Sequence, residues 1–503
     1  MIIKKDINKK MNLHSEYQIR KKKLINLLTT GFNFPNQFKP NTTLKQINKK
    51  YLNYTRKELF KIHINIKIAG RIIKKRIMGK AAFIIIKEMN SEIQIYVTEQ
   101  KISSDFYQHQ FKTWDIGDII AIIGKIFKTK TGQLSVYCEQ TILLVKSLRP
   151  LPEKFHGLTD QEIRYRKRYL DLLSNKNSME NFIKRSKILK IIRNFMHLKK
   201  FIEVETPMMQ NVPGGATARP FITNHNTLDI QMYLRISPEL YLKKLIIGGF
   251  TKIYEINRNF RNEGISYKHN PEFTMMEMYI AYADHNDLMQ FIIIFLQHIV
   301  HQLTGKNIIQ YQEHILNINT PFQKLTIQEA IVCYNPSIYI DDLKNIQKIK
   351  KIAQLYNIPI QENWNINKII MKIFENTTEN KLIQPTFITE YPTEISPLAR
   401  RNDKNKKISE RFEFFMGGIE IGNGFSELNN PNDQKKRFLK QYNEQKKIKN
   451  NISLYDAEYV EALEYGMPPT AGLGIGIDRL IMLLTNQNNI RDVILFPTLR
   501  PIK

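Results

Sequence analysis

Phe260-Arg261-Asn262-Glu263, then a short loop, then His269-Asn270-Pro271-Glu272-Phe273, is the stretch that decides the fold. Glu255, Asn257, Asn259, Arg261 and Glu263 fall on one side of an extended segment, because strand side chains alternate with period two. Phe273, Met275, Glu277 and Tyr279 do the same on the return segment. If the two segments pair around the loop at 264–270, both odd-numbered sets share one face of a hairpin. That face carries an arginine, carboxylates, a phenylalanine and a tyrosine hydroxyl. Burying such charges unpaired is too costly for a purely structural face, so it reads as a ligand-binding one.

A second string stands about 200 residues further on. Gly472, Gly474 and Gly476 alternate with apolar residues and lead through Asp478 and Arg479 into Leu480-Ile481-Met482-Leu483-Leu484. Glycine weakens a strand, so three on one face predict that something flat, such as a nucleotide, lies close to the backbone. The alternative is a glycine-rich bulge at a sheet edge. No G-x-x-x-x-G-K-[ST] string is present, so phosphates would be handled by arginines, carboxylates and a metal.

Glu413 and Glu420 flank Gly417-Gly418. In a tight antiparallel hairpin the two carboxylates point to one side and repel unless a cation lies between them. Oxygen ligands near phosphates favour Mg²⁺, which takes one or two protein carboxylates. Two solvated glutamates on an exposed turn are the plainer alternative. Asn423, Phe425 and Glu427 have the opposite parity to Glu420, and a bulge at Gly422-Asn423-Gly424 would bring both sets to one site.

Outside these strings the chain is organised in blocks. Residues 1–60 are basic, with a helical pattern over 17–28 in which Ile19, Leu24, Leu27 and Leu28 line one side. Residues 61–150 read as five short strands with a helical stretch near 101–112, an OB-type barrel of the kind that binds oligonucleotides. Residues 151–175 form a proline-marked linker, and 176–503 the largest unit, with a helical Lys- and Asn-rich insertion at about 335–380. The expected fold class is α+β: an antiparallel sheet flanked by helices, with an N-terminal barrel.

The bulk numbers set limits. A chain of 503 residues with 42% hydrophobic content suits about three domains and several cores. There is no apolar run long enough for a membrane span and no signal-peptide stretch, so no membrane partner is expected. Cys138 and Cys333 lie far apart, which fits a reducing cytoplasm and argues against zinc. The 76 Lys and Arg against 47 Asp and Glu leave a net charge of +29, which points to a polyanion. About half of that excess is credited to the general Lys, Asn and Ile richness of the chain.

With these residues in view, the chain resembles class II aminoacyl-tRNA synthetases, and within them the bacterial lysyl-tRNA synthetase family of subclass IIb. The similarity runs through F-I-E-V-E-T-P-M-M at 201–209 and the stretches 214–221, 237–243, 260–276, 382–403, 417–428 and 468–479. It implies a homodimer, ATP and L-lysine as substrates, Mg²⁺ as cofactor, and tRNA(Lys) as acceptor. It further implies that Arg261 and Arg479 are catalytic. ATP would be held by Arg261, Glu263, His269, Asn270, Phe273, Glu413 and Arg479, with Glu413 and Glu420 as metal ligands. Lysine would be held by Gly214, Glu239, Arg261, Glu277, Tyr279, Asn423, Phe425, Glu427 and Gly474. Arg76, Phe83 and Gln94 on the barrel would read the anticodon. The related aspartyl and asparaginyl enzymes carry Gln where Glu239 stands, and the aspartyl enzymes a Lys near Leu242. Lys200 and Ile419 depart from the family, which often has Gly and Arg there. Two rivals are a relative that lysylates a protein without tRNA and a non-catalytic RNA-binding protein. The barrel residues argue against the first, and the set Arg261, Glu263, Glu413, Glu420 and Arg479 against the second.

Overall fold

The computed structural model describes residues 2–62, 64–152, 158, 160–319, 321–361, 364–446 and 455–502. The chain divides into two compact units, Met1–Glu180 and Asn181–Lys503.

In the first unit, strands β1 (Asn65–Met78), β2 (Ala81–Glu88), β3 (Ser91–Thr98), β4 (Ile119–Lys128) and β5 (Leu134–Val145) close into a barrel in the order β1-β2-β3-β5-β4. Alternation decides which way each residue points. Ile84, Ile86, Ile93, Ile95 and Val97 are buried inside, and the residues between them face outward. The expected helical stretch after β3 is broken into three short turns, Glu99–Ile102, Phe106–Gln110 and Phe111–Thr113.

The helix Ile2–Thr29 corrects one expectation. Ile19 and Leu28 are exposed, whereas Arg20 is 5% exposed. Arg20 donates to the Ile116 carbonyl at 2.9 Å, and Lys23 donates to Asp115 at 2.7 Å. The buried stripe therefore runs through Arg20, Lys23 and the half-buried Leu27, and two cations dock the helix on the barrel. An apolar-only pattern misplaces such a face, because long basic side chains bury their stems.

In the second unit, a two-residue strand β6 (Ile202–Glu203) is followed by a small sheet of β7 (Met209–Gln210), β8 (Phe221–His225) and β9 (Ile230–Leu234). Next come β10 (Lys252–Phe260) and β11 (Glu272–Ala281), the hairpin β12 (Ile308–Tyr311) and β13 (His314–Asn317), and then β14 (Gln323–Thr326), β15 (Thr386–Thr389), β16 (Arg411–Met416), β17 (Ile419–Ser426) and β18 (Thr470–Gly476). The main sheet has eight strands in the order β14-β15-β16-β17-β18-β11-β10-β6. Its interior pairs are antiparallel as expected, but both edge strands, β6 and β14, pair parallel with their neighbours. Between β14 and β15 the helices Ile327–Tyr334, Ile346–Leu355 and Ile366–Thr377 build a separate apolar cluster around Ile331, Ile349 and Phe374.

Parity sorts the sheet into two faces. Met276, Met278, Phe412, Phe414, Ile421, Leu473 and Ile475 pack against the helices Lys176–Leu198, His285–Thr304 and Ile477–Leu484. Each such side chain, fully buried, contributes roughly 1.5–3 kcal/mol. The residues between them are left for the opposite face, where the chemistry lies.

Candidate active site

The floor of the site is a set of cross-strand rows. Register places Gly472 between Tyr279 on β11 and Phe425 on β17, and Gly474 between Glu277 and Asn423. These residues line a cavity of about 1270 Å³, more than one small ligand needs. Gly214, Glu239, Arg261, Glu263, His269, Asn270, Phe273, Glu420 and Arg479 line it too. Glu413 and Glu427 are absent from the lining.

The expected close approach is present at two of these glycines. A Cβ on Gly472 would stand 2.5 Å from Tyr279 Cε1 and closer still to Glu427 Oε1. A Cβ on Gly474 would meet Met275 at 3.1 Å. The chain's own side chains crowd the strand, so no nucleotide is needed to explain these two positions.

At one end of the cavity, β10 and β11 form the hairpin read from sequence, with Glu255 opposite Glu277 and Asn259 opposite Phe273. The strand ends at Phe260, so Arg261 and Glu263 lie in the connecting loop. Glu255 belongs to the structure rather than the site: Arg235 Nη1 donates to it at 2.7 Å and Thr206 at the same distance. Arg261 stacks 5.0 Å from the centre of the Phe273 ring, and its buried Nε has no hydrogen-bond partner. Burial lowers its pKa, but a guanidinium stays charged, so an anion is the missing partner. Arg479 donates to Glu420 Oε2 at 2.9 Å and lies 3.1 Å from His269 Nε2. Burial first, then Arg479, depress the His269 pKa. A neutral ring accepts at Nε2 and donates from Nδ1 to Ser266 Oγ at 2.8 Å. Glu263 is exposed at the rim. The Asn270 amide donates to the Glu272 carbonyl at 2.6 Å, and its oxygen accepts from Thr498 N at 3.2 Å, so it braces the loop. Asp478 accepts from Arg185 at 2.6 Å and from Thr274 N at 2.7 Å, which fixes the start of the helix behind Arg479.

Glu413 and Glu420 come from β16 and β17. A register shift between Phe414 and Phe415 leaves Ile421 unpaired, so the expected bulge is present, one residue before Gly422. It sets Asn423 opposite Glu413 and Glu420 opposite Phe415. Arg411 donates to Glu413 Oε1 at 2.6 Å, and burial together with the Glu420 charge pushes the Glu413 carboxyl up to about 7. Each carboxylate meets an arginine through one oxygen, and the second oxygens suit a cation that also carries phosphates. Glu379, unread in the sequence, is pushed up to about 8 by burial and by Glu413 and Glu420. Ile419 is 3% exposed and packs in the core. Among the described residues no group of three or more His, Cys, Asp or Glu is arranged to hold a metal ion.

The other end of the cavity is acidic. Ser237 Oγ donates to Glu277 Oε1 at 2.9 Å and accepts from Glu239 N at 3.1 Å, joining the two carboxylate positions. Tyr279 donates to Glu277 Oε2 at 3.2 Å. Burial, aided by the Glu239 charge, pushes Glu277 up to about 7. Gly215, at φ +82°, lets the preceding loop pass against Glu239. Lys243 pairs with both Glu239 and Glu427 and was not anticipated. Its signal, a Glu-x-x-x-Lys spacing on a helix, is too common to single out.

On the barrel, Arg76 stands opposite Phe83, and Phe83 opposite Tyr96. Phe83 and Tyr96 rings lie 4.9 Å apart, and Phe127 and Tyr137 extend the aromatic patch. Gln94 donates to Ser135 Oγ at 3.2 Å. Tyr96, Phe127 and Tyr137 were missed because strands far apart in sequence bring them together.

Residues 160–500 match the profile of class II tRNA synthetases (D, K and N), and residues 66–144 that of OB-fold nucleic acid binding domains. The chain belongs to the class II tRNA synthetase family. Within it, the chain is similar to a lysine–tRNA ligase of Buchnera aphidicola subsp. Schizaphis graminum, 59% identical over 503 residues and the whole of both chains. It is 52% identical over 496 residues to the heat-inducible lysine–tRNA ligase of Escherichia coli K12, covering 99% of this chain and 98% of that one. A lysine–tRNA ligase of Pectobacterium carotovorum is 52% identical over 492 residues, 98% of this chain and 97% of its own.

Proposed function

We infer that the chain is a lysine–tRNA ligase, which joins L-lysine to ATP as lysyl-adenylate and passes the lysyl group to the 3′ end of tRNA(Lys). The observation that carries this reading is one cavity with Glu239 and Glu277 at one end and Arg261, Phe273 and Arg479 at the other. The acidic end suits an ammonium, and the guanidinium end suits phosphates. Relatives of that name at 52–59% identity over nearly the full length support it.

In this reading Arg261 bridges the lysine carboxylate and the α-phosphate, and one carboxylate oxygen attacks phosphorus in line as pyrophosphate leaves. Positioning and charge neutralisation do most of the work. A 3′-terminal hydroxyl of tRNA then attacks the lysyl carbonyl, and AMP leaves. Phe273 and Arg479 hold the adenine, Glu263 its amino group, and His269 the outer phosphates. Glu413 and Glu420 would hold Mg²⁺, which would supply positive charge against the phosphates. Gly214, Asn423, Phe425 and Gly474 shape the space for lysine, and Glu427 acts from just behind the lining. The barrel, at 61–150, stacks an anticodon base on Phe83 with Arg76 and Gln94 beside it, and 176–503 is the catalytic domain.

A homodimer is supported by exposed Ile202, Met208 and Met209 beside the edge strand β6. A cytoplasmic site fits two unpaired cysteines. Among the described residues no helix is long and apolar enough to cross a membrane.

Amino-acid-dependent exchange of pyrophosphate into ATP tests the reading. Exchange with lysine, and none with aspartate or asparagine, is expected. Lysine exchange without charging of tRNA would favour protein lysylation instead.

A further inference from the structure

Lys243 is fully buried, at 0% exposure, one turn after Glu239 on the helix Glu239–Ile247. Its ammonium donates to Glu239 Oε1 at 2.5 Å and forms an ion pair with Glu427 Oε2. It also stands 5.4 Å from the centre of the Phe425 ring, part of the cavity lining. The helix neighbours Leu240, Leu242 and Ile246 are core residues. A buried ammonium is expensive, and an apolar side chain would serve packing at less cost. The carboxylates around it explain the cation.

The charges along the lysine site, from its acidic end to Arg261, can be counted. Arg411 is matched by Glu413 at 2.6 Å, and Arg479 by Glu420 at 2.9 Å. With all three carboxyls ionised, as a bound ammonium would hold them, what remains is Glu239, Glu277 and Glu427 against Lys243 and Arg261, one net negative charge. Free lysine, with two ammonium groups and one carboxylate, carries one net positive charge. Glu427 leaves Oε1 buried with no hydrogen-bond partner, beside Gly472. Oε2 also lacks a hydrogen bond and is held by the Lys243 ion pair alone, so Oε1 has no partner of either kind.

We propose that Lys243 is a positioning residue for substrate lysine: it holds Glu239 and Glu427 together as carboxylates and sets the pocket one unit short of neutral, so that a ligand with one net positive charge completes it. This rests on the lysine-pocket reading above. Without Lys243 the pocket carries two uncompensated negative charges. Protons on the glutamates make up the difference, and a protonated glutamate is a poor partner for an ammonium. The groups facing this cluster are Glu239 on the same helix, Glu277 and Tyr279 from β11, Glu427 after β17, Arg411 from β16, and Tyr459 from the helix Ala457–Glu464. Burial pushes Glu239, Glu277 and Glu427 up, and Lys243 opposes this at Glu239 and Glu427.

The test is pyrophosphate exchange by Lys243→Met, Lys243→Arg and Lys243→Met/Glu427→Gln, across pH, with KM for lysine and for ATP read separately. Lys243→Met should raise the lysine KM about 100-fold with the ATP KM within about twofold, and should move the acidic limb of kcat/KM for lysine up by about one pH unit or more. The double variant restores one net negative charge, so its acidic limb should return toward the parent and its lysine KM should fall about tenfold below that of the single variant. Lys243→Arg should keep the parent limb. A purely structural lysine would move neither limb. An unmoved limb in Lys243→Met, equal loss for lysine and ATP, or a double variant no better than the single one would overturn the proposal. If Lys243→Met does not fold, the double variant and Lys243→Arg decide alone. Glu239→Gln separates the two levels. If it leaves the lysine KM unchanged, the lysine-pocket reading fails; if it raises that KM while Lys243→Met does not, only the role of Lys243 fails.

Discussion

Gly472→Ala is the sharpest perturbation of the floor. The added methyl would stand 2.5 Å from Tyr279 Cε1 and nearer to Glu427 Oε1. Tyr279 is 3% exposed and Glu427 2%, so neither can swing into solvent. Ordinary carbon contacts lie near 3.5–4.0 Å, so both must give way, Tyr279 by about 1 Å and Glu427 by at least as much. Overpacking of this size costs about 1–3 kcal/mol of stability. A shift of about 1 Å in a substrate-positioning group costs about 100-fold in rate or affinity. The nucleotide end should be spared. Gly476 sits four residues along the same strand, about 13 Å away at 3.3 Å per residue. Pyrophosphate exchange should therefore show a lysine KM raised about 100-fold and an ATP KM within about twofold. Equal changes for both substrates, or none for lysine, would refute the assignment of floor and pocket.

Three further outcomes are expected. Glu277 is held near 7 by burial and by Glu239, above its unfolded value. Its raised pKa stabilises the fold below about 4.5, and that contribution is lost as pH rises through about 7. Lysine binding draws the carboxyl into its ionised form, so calorimetry in buffers of different ionisation enthalpy should find up to about one proton released per lysine at pH 6.5 and close to none at pH 8.5. Lys200 has φ +63° where the chain leaves the helix Lys176–Leu198, and a left-handed residue with a Cβ is strained by about 1–2 kcal/mol. Lys200→Gly should raise the unfolding free energy by about 0.5–1 kcal/mol in urea titrations, net of the added unfolded-state entropy. Phe83→Ala should weaken tRNA binding by about 1–3 kcal/mol and leave lysine-dependent pyrophosphate exchange unchanged, as read by filter binding alongside exchange.

Local pattern carried most of the fold. Period-two alternation placed the barrel strands and both strands of the hairpin, and it assigned Glu277 and Tyr279 to one face and Met276 and Met278 to the other. The antiparallel expectation broke down only at β6 and β14, where short edge strands pair by tertiary packing rather than by hairpin turns. What stayed hidden was pairing at a distance. Glu255 looked like a site carboxylate because its partner Arg235 lies 20 residues back. Lys243 and Glu427 meet across 184 positions, and Glu379 reaches Glu413 and Glu420 from a separate turn. Neither contact leaves a periodic trace. Arg20 escapes an apolar-only stripe because its long stem is buried while its guanidinium meets the Ile116 carbonyl. Gly472 was read correctly as a place of close approach, but the visitor is Glu427 from the neighbouring chain segment.

The most direct test is a crystal structure with a non-hydrolysable lysyl-adenylate analogue. The ε-ammonium should lie within about 3 Å of carboxylate oxygens from Glu239, Glu277 or Glu427, the sulfamate or phosphate analogue should meet Arg261, and the adenine should lie on Phe273. An analogue bound with its ammonium away from these glutamates, or outside the cavity, would contradict the account.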